Sequence, residues 1–478
     1  MKKYIVIPII SVSIFMQTAC KKFVSINPPI DKIVAKEVYT SDEMATNALR
    51  GIYVTLATSV SFAGGQSSVT MLAGRSADEF TNFYNDDAIK QFSENSLIST
   101  NGRLQSGLWT SPYKIIYATN SFMENVSHSM DVTVAVKKQL LAEAKFIRSL
   151  SYFYLTNLFG DVPLLLTSDY RQNAIAFSNT QLEIYSQIVK DLEEATADLS
   201  DNYPGADRTR ANKWAAMALL SRTYLYIKNY EKAESYASAI IANTTRYKLI
   251  TDDLNKVFLK NSDEAILQLY VPAANNVNTY EGLLFILNAA PGNATEVVIS
   301  STLYNSFEDG DLRKSKWVGT FSSGANTWYY PSKYKVKSGS NPSLEYSMVL
   351  RIGEQYLIRA EARINQETQV KIDQGISDLN ILRQRSRQTA TAAVPNPLPA
   401  LTNGLSKADA LLAVEKERRN ELFSEWGHRW LDLKRTKRVD AVLSIAKGSN
   451  WQTTDQLYPI PNSDILNNPN LKQNDGYN

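Results

Sequence analysis

The chain has 478 residues, 44% apolar and 21% charged, the composition of an ordinary folded protein long enough for one elaborated domain or two to three coupled ones. Lysine and arginine number 51 against 48 aspartates and glutamates, so the formal net charge is only +3 and no global field points to nucleic acid or to an anionic lipid surface. Two histidines 300 residues apart and a single cysteine argue against a zinc site, and one cysteine excludes a disulfide within one molecule.

Lys2 and Lys3 precede an uncharged, mostly apolar run over residues 4–16 that is shorter than the roughly 20 residues needed to cross a bilayer. Residues 1–19 therefore have the layout of a cleaved export signal. It ends in Gln17-Thr18-Ala19-Cys20. A lone cysteine after small residues has the form of a bacterial lipoprotein signal, with Cys20 acylated as the mature first residue, although Gln17 departs from the usual aliphatic residue. Residues 20–40, with Pro28-Pro29, are expected to form a lipid-anchored tether.

Residues 41–243 have the pattern of a helical scaffold. Thr40 or Ser41 can cap a helix through Met44, Ala45, Ala48 and Leu49 to Tyr53. Residues 57–108 lose periodicity, gain Ser, Gly and Asn, and are expected to be a long variable loop region. Helical spacing resumes with Trp109, Tyr113, Ile116 and Asn120, continues over 136–159 until Gly160, and returns over 181–199. Within 209–241, Leu220, Ser221, Tyr224, Ala233, Ala237 and Ile240 follow the tetratricopeptide pattern, and 356–365 with 372–383 form a second helix pair. Between the pairs, 244–350 is expected to be a loop-rich variable lobe with short strands such as EAILQLYV (264–271). Residues 351–478 hold the C-terminal helix pairs and a wrapped tail that docks through Leu457, Ile460 and Ile465. The predicted fold class is mainly α, with irregular tetratricopeptide-like pairs supporting a lobe of loops and short strands.

The densest stretch is EKERRNELFSEWGHRWLDLKR (415–435), with twelve ionisable residues and two tryptophans divided by Gly427. Glu415–Arg419 and Glu425–Arg429 are each four apart; the first spacing suits a helix-surface pair, whereas Gly427 falls inside the second. Two readings follow: a structural lattice around Trp426 and Trp430, or an acid/base site using Glu425 near His428. Nothing supplies an independent nucleophile, and no phosphate-binding, nucleophile-elbow or dinucleotide glycine run occurs, so no cofactor is expected. Asp86-Asp87 and Glu308-Asp309-Asp311 have the chemistry of a hard-cation site, but exposed acidic turns explain them equally, and no metal is assigned. The 26 tyrosines and 7 tryptophans, with many asparagines, suit stacking on sugar faces. By region and chemistry the expected ligand-binding residues are Asp78, Phe83, Tyr84, Trp317, Trp328 and Tyr329.

Taken in order, Cys20, Trp109 to Asn120, AEAKFIRSLSYFYLTNLFGDVPLL (142–165), WAAMALLSRTYLY (214–226), YLIRAEARIN (356–365), ERRNELFSEWGHRWLDLKR (417–435) and LYPIPNSDILNNPNLKQNDGY (457–477) resemble the SusD/RagB family of outer-membrane nutrient-binding lipoproteins over essentially the whole sequence. The resemblance implies a lipid-anchored protein of the cell outer membrane that caps a SusC-type TonB-dependent transporter. It also implies capture of glycan, or in some members peptide, without catalysis. It places ligands in the variable half and makes 415–435 scaffold. Lys21 and Lys22 stand where many members carry acidic residues that favour outward display. A secreted glycan hydrolase with paired carboxylates and a structural lipoprotein that binds only its transporter remain the alternatives.

Overall fold

The structure, a computed structural model, describes residues 38–293, 295–339 and 342–477. The signal, Cys20 and most of the tether lie outside the described residues. Ser41 accepts a hydrogen bond from the Met44 N–H and starts α1 (Asp42–Leu56). Then come α2 (Val69–Ser76), β1 (Phe80–Asn82), α3 (Asp87–Glu94) and a π-helix, Leu104–Thr110, that runs into α4 (Ser111–His128). Long helices follow: α5 (Val134–Phe159), ended by Gly160, and α6 (Gln181–Asp198), opened by a capping box of Thr180 and Glu183. A helix pair, α7 (Lys213–Tyr226) and α8 (Tyr230–Ala242), precedes the lobe strands β2 (Ala265–Leu269), β3 (Val297–Ile299), β4 (Val318–Ser323), β5 (Asn326–Pro331) and β6 (Ser347–Arg351). The chain closes with α9 (Ile352–Ile364), α10 (Gln369–Arg385), α11 (Lys407–Leu422), α12 (His428–Arg435) and α13 (Val439–Lys447).

The frame is a row of antiparallel neighbours: α4 on α5, α5 on α6, α6 on α7, α7 on α8, α8 on α9 and α9 on α10. Local sequence explains the pairs. Ala233 and Ala237 on α8 have no exposed surface and let α8 approach α7, while Tyr224 fills the groove and stacks on Tyr236 at 5.8 Å. The main core runs through α1 and α4–α9 and takes in Trp426, Trp430, Tyr458 and Ile460. The fold is mainly α, as the sequence predicts.

Every sheet among the described residues has two strands. β1 pairs with β3, β2 with β6, and β4 with β5, all antiparallel, and β3 also lies beside β5. Residues 57–108 are not the structureless loop expected from their composition. They hold α2, β1, α3 and the π-helix, and all eight residues of α2 are buried. Thr70, Arg75 and Ser76 of this helix are buried along with its apolar residues, so its enclosure is set by tertiary packing and not by its own pattern.

Candidate functional site

Residues 415–435 are a buried brace. After Leu422 the backbone turns through left-handed Ser424, Trp426 and Gly427 before α12 begins. A Cβ on Gly427 would lie 2.7 Å from Ala73 Cβ, so glycine serves both the φ of +65° and the close approach to α2. Glu421 accepts from Arg351 at 2.7 Å, Arg385 at 2.5 Å and Arg313 at 3.0 Å, and Glu425 accepts from Arg351 at 2.9 Å and Lys333 at 2.5 Å. Burial alone would push the Glu421 carboxyl up, but Arg385, Arg351 and Arg313 outweigh it and hold it well below the usual range. These bonds join the lobe (Arg313, Lys333, Arg351) to the C-terminal helices.

The expected Glu415–Arg419 pair does not form, and neither does Glu425–Arg429. Glu415 bonds Arg429 and Arg438, Arg419 and Arg429 both grip Asp78, and Glu425 turns to Lys333 and Arg351. The turn at Gly427 breaks the helix between Glu425 and Arg429, and the charges around it are buried against distant segments that supply their partners. Glu425 and His428 are 6% and 4% exposed, which gives a substrate no access to either. Burial, with Arg222 and Arg418 nearby, drives the His428 ring well below the usual histidine range. Three of the five carboxylates considered for a hard cation are engaged: Asp86 caps α3 and pairs with Arg103, Asp311 holds Arg313, and Glu308 holds Arg383 and Lys416.

The expected ligand residues fall into three groups. Asp78 and Trp317 are corrections. Asp78 is clamped by Arg429 and Arg419, each at 2.8 Å, and belongs to the brace. Trp317 has no exposed surface; its Nε1 donates to Leu254 O at 3.0 Å and its ring packs edge-on against Phe258. Position in a loop-rich lobe did not keep this ring in solvent, because the lobe has its own small core around it. Trp328 and Tyr329 sit half-buried on β5. Strand alternation sends them to opposite faces, so they make two small surfaces and not one platform. Trp328 lies across from Phe321, whereas Tyr329 stacks on Tyr304 with centroids 3.7 Å apart and Lys314 Nζ above the Tyr304 ring. Phe83 and Tyr84 follow β1, with the Phe83 ring 38% exposed and its N–H donating to Glu296 O.

A cleft of about 660 Å³ lies where none of these six residues lines it. Its walls are the end of α1 and the turn after it, the π-helix, α4, and residues 280–284. Tyr280, Gln66, Arg103, Gln105 and Lys114 bring an aromatic ring and polar heads to one space. The polar wall is fixed from behind. Gln66 donates to Glu296 Oε1 at 2.6 Å, Glu296 is held by Arg75 at 2.5 Å, and Arg103 reaches Asp86 and Gln66. The turn needs glycine at 65, where φ is +70° and a Cβ would sit 2.0 Å from Ser59 O. Sequence reasoning marked 57–108 as a region of interest but named none of these residues. The Ser-Gly run SFAGGQSS (61–68) is the local signal, while Tyr280 is some 200 residues away and carries none.

The sequence model of a family described as starch-binding and associating with the outer membrane matches residues 34–225, and that of the SusD family matches 304–477. The chain belongs to the SusD/RagB family. SusD-like protein P2 of Formosa agariphila is 24% identical, with 94% of this chain and 95% of that one aligned. The starch-binding protein SusD of Bacteroides thetaiotaomicron is 23% identical over 70% of this chain and 72% of its own. A SusD superfamily crystal structure from Bacteroides vulgatus superposes with a TM-score of 0.77 at 21% identity, covering 92% of this chain and all of the other. A laminarin-binding SusD-like protein superposes at 0.74 with 22% identity, again over 92% of this chain and all of its own. Within this SusD/RagB member, the cleft lies between the matched N-terminal half and Tyr280, which stands in the stretch that neither family match covers.

Proposed function

We propose that this protein binds glycan reversibly, without breaking a bond, and delivers it to a SusC-type TonB-dependent transporter at the outer membrane, where acylated Cys20 anchors it. The observation that carries the reading is the 660 Å³ cleft, within the range of small-ligand sites, with the Tyr280 ring beside convergent amide, ammonium and guanidinium donors. A flat ring packs on the apolar face of a sugar while the donors meet its hydroxyls. The half-exposed Tyr304–Tyr329 stack and the Trp328–Phe321 pair provide further rings on the lobe surface. The family description as starch-binding, the starch-binding SusD and the laminarin-binding neighbour support a glycan as ligand.

For the transporter, the segment after α5 offers a docking surface. Tyr170, Ile175 and Phe177 are 75%, 64% and 68% exposed within eight residues, an apolar display of the kind that marks protein contact. Calorimetry with malto- and laminari-oligosaccharides tests the reading. Binding is expected at modest affinity, with Tyr280→Ala weakening it about tenfold, the order of a lost stacking contact. Retained affinity in Tyr280→Ala would remove the cleft from the proposal, and turnover of the oligosaccharides would replace binding with hydrolysis.

A further inference from the structure

A second cavity, of about 410 Å³, lies on a different part of the frame, where the ends of α7 and α12 meet α8, α9 and α11. Arg418 on α11 is 3% exposed and lines it. Its Nε donates to Asp432 at 2.7 Å, yet Nη1 and Nη2 have no hydrogen-bond partner. Tyr226 lines the same cavity, and its hydroxyl is likewise buried and has no partner. Buried donors are nearly always satisfied in folded proteins, so two side chains with three such atoms around one cavity mark a place built for an acceptor.

The charges around the cavity point the same way. Its acidic members are already committed: Glu361 to Arg435, Asp432 to Arg418 and Arg435, and Glu415 to Arg429 and Arg438. Basic side chains outnumber acidic ones five to three among the lining residues, with Lys228 and Lys437 exposed at the rim. The terminal nitrogens of a guanidinium match the two oxygens of a carboxylate. Beside Tyr230, Asn365 and Thr436, the wall has an aliphatic side formed by Leu225, Leu411, Leu412 and Val414. A hydroxyl-rich sugar acid would press its hydroxyls against these side chains, whereas a branched aliphatic tail would bury there.

We propose that this cavity is a carboxylate-binding site, separate from the glycan cleft, which takes a carboxylate carried on an aliphatic body, with Arg418 Nη1 and Nη2 and the Tyr226 hydroxyl donating to its oxygens. The carboxylate comes either from a free branched acid or from a peptide C-terminus ending in an aliphatic residue. The site does not depend on the glycan reading.

Calorimetry on the purified protein tests it with three probes: 4-methylpentanoate, the corresponding amide, and a short glycine-serine peptide ending in leucine with a free carboxylate. Binding of the acid or the peptide is expected, with the amide at least about tenfold weaker because the charge-assisted bonds are lost. Whichever of the two binds more tightly identifies the source. Tyr226→Phe, which deletes a hydroxyl that bonds nothing in the protein, is expected to weaken the carboxylate about 3- to 10-fold with no fall in unfolding temperature. Arg418→Lys is expected to weaken it further, while oligosaccharide binding at the Tyr280 cleft is unchanged in Tyr226→Phe. Absence of binding at millimolar acid and peptide, equal binding of acid and amide, or full affinity in Tyr226→Phe would each overturn the proposal. If Arg418→Lys does not fold, the amide comparison and Tyr226→Phe decide it alone.

Discussion

Trp430 has no exposed surface; its ring stacks on Tyr458 at 5.7 Å and meets Trp451 edge-on at 6.1 Å. Truncation removes most of that contact area and leaves a cavity the surrounding helices cannot close. Trp430→Ala is therefore expected to cost about 3–5 kcal/mol in urea unfolding, the range for a buried large ring, with oligosaccharide affinity of the folded fraction unchanged. Glu79 behaves differently. It is 1% exposed and accepts the Ser424 N–H, and burial, with the neighbouring Asp78 charge, pushes it up to about 7 against the pull of Lys333 and Arg429. Glu281, half-buried beside Ser347, is also pushed up to about 7 by desolvation. In the unfolded chain these carboxyls titrate near 4.5, so between pH 4.5 and 7 the native state holds more protons than the unfolded state. Stability then falls as pH rises through that window, by up to about 1.4 kcal/mol per pH unit for each group. Glu79→Gln keeps the acceptor for Ser424 and is expected to flatten part of this slope, leaving the share of Glu281. An unchanged slope in unfolding curves between pH 4.5 and 7 would contradict it.

At the scale of elements, the C-terminal helices are fixed to the lobe by a small number of buried carboxylates. Glu421 contacts Arg385, Arg351 and Arg313 at once, shares them with Glu264, Glu425 and Asp311, and all four side chains are almost fully enclosed. Removing one partner of such a cluster strands the others without solvent. Glu421→Gln is expected to cost about 3–5 kcal/mol or to prevent folding, the range for breaking a buried ion pair. Glu367→Gln, whose Lys407 bond lies in solvent, should leave the unfolding midpoint within error. The helix pairs are legible because each element carries its own signal: helical spacing returns over 181–199, Gly160 closes α5, and Ala233 with Ala237 marks the inward face of α8. The ion pairs are not. A run of alternating charges says that partners exist, and Glu415 and Arg419 were paired by spacing alone. Which acid meets which arginine is settled by segments 14 to 351 residues apart, as with Glu415 and Arg429 or Asp78 and Arg429.

For the whole molecule, the proposed binding surfaces are assembled from distant parts of the chain. The cleft joins the π-helix and the turn after α1 to Tyr280, and the carboxylate cavity joins five helices. Attachment to the membrane rests on Cys20 alone in the proposal. Cys20→Ala is expected to move the mature protein from the membrane to the soluble fraction and to abolish incorporation of labelled lipid, since two or more acyl chains are needed for stable anchoring. Persistence in the membrane fraction without label would place the anchor elsewhere.

The sequence by itself determined the mainly α frame, the tetratricopeptide-like pairs and membership of the SusD/RagB family, because periodicity, caps and ordered motifs are local properties. It located the brace but not its wiring. Only the tertiary structure decided that Trp317 and Asp78 are interior, that Trp328 and Tyr329 face opposite ways, and that Tyr280 meets Arg103 and Gln66 across a cleft. Exposure and convergence are properties of how segments pack, and a tryptophan in a polar stretch carries no mark of whether that stretch will fold over it.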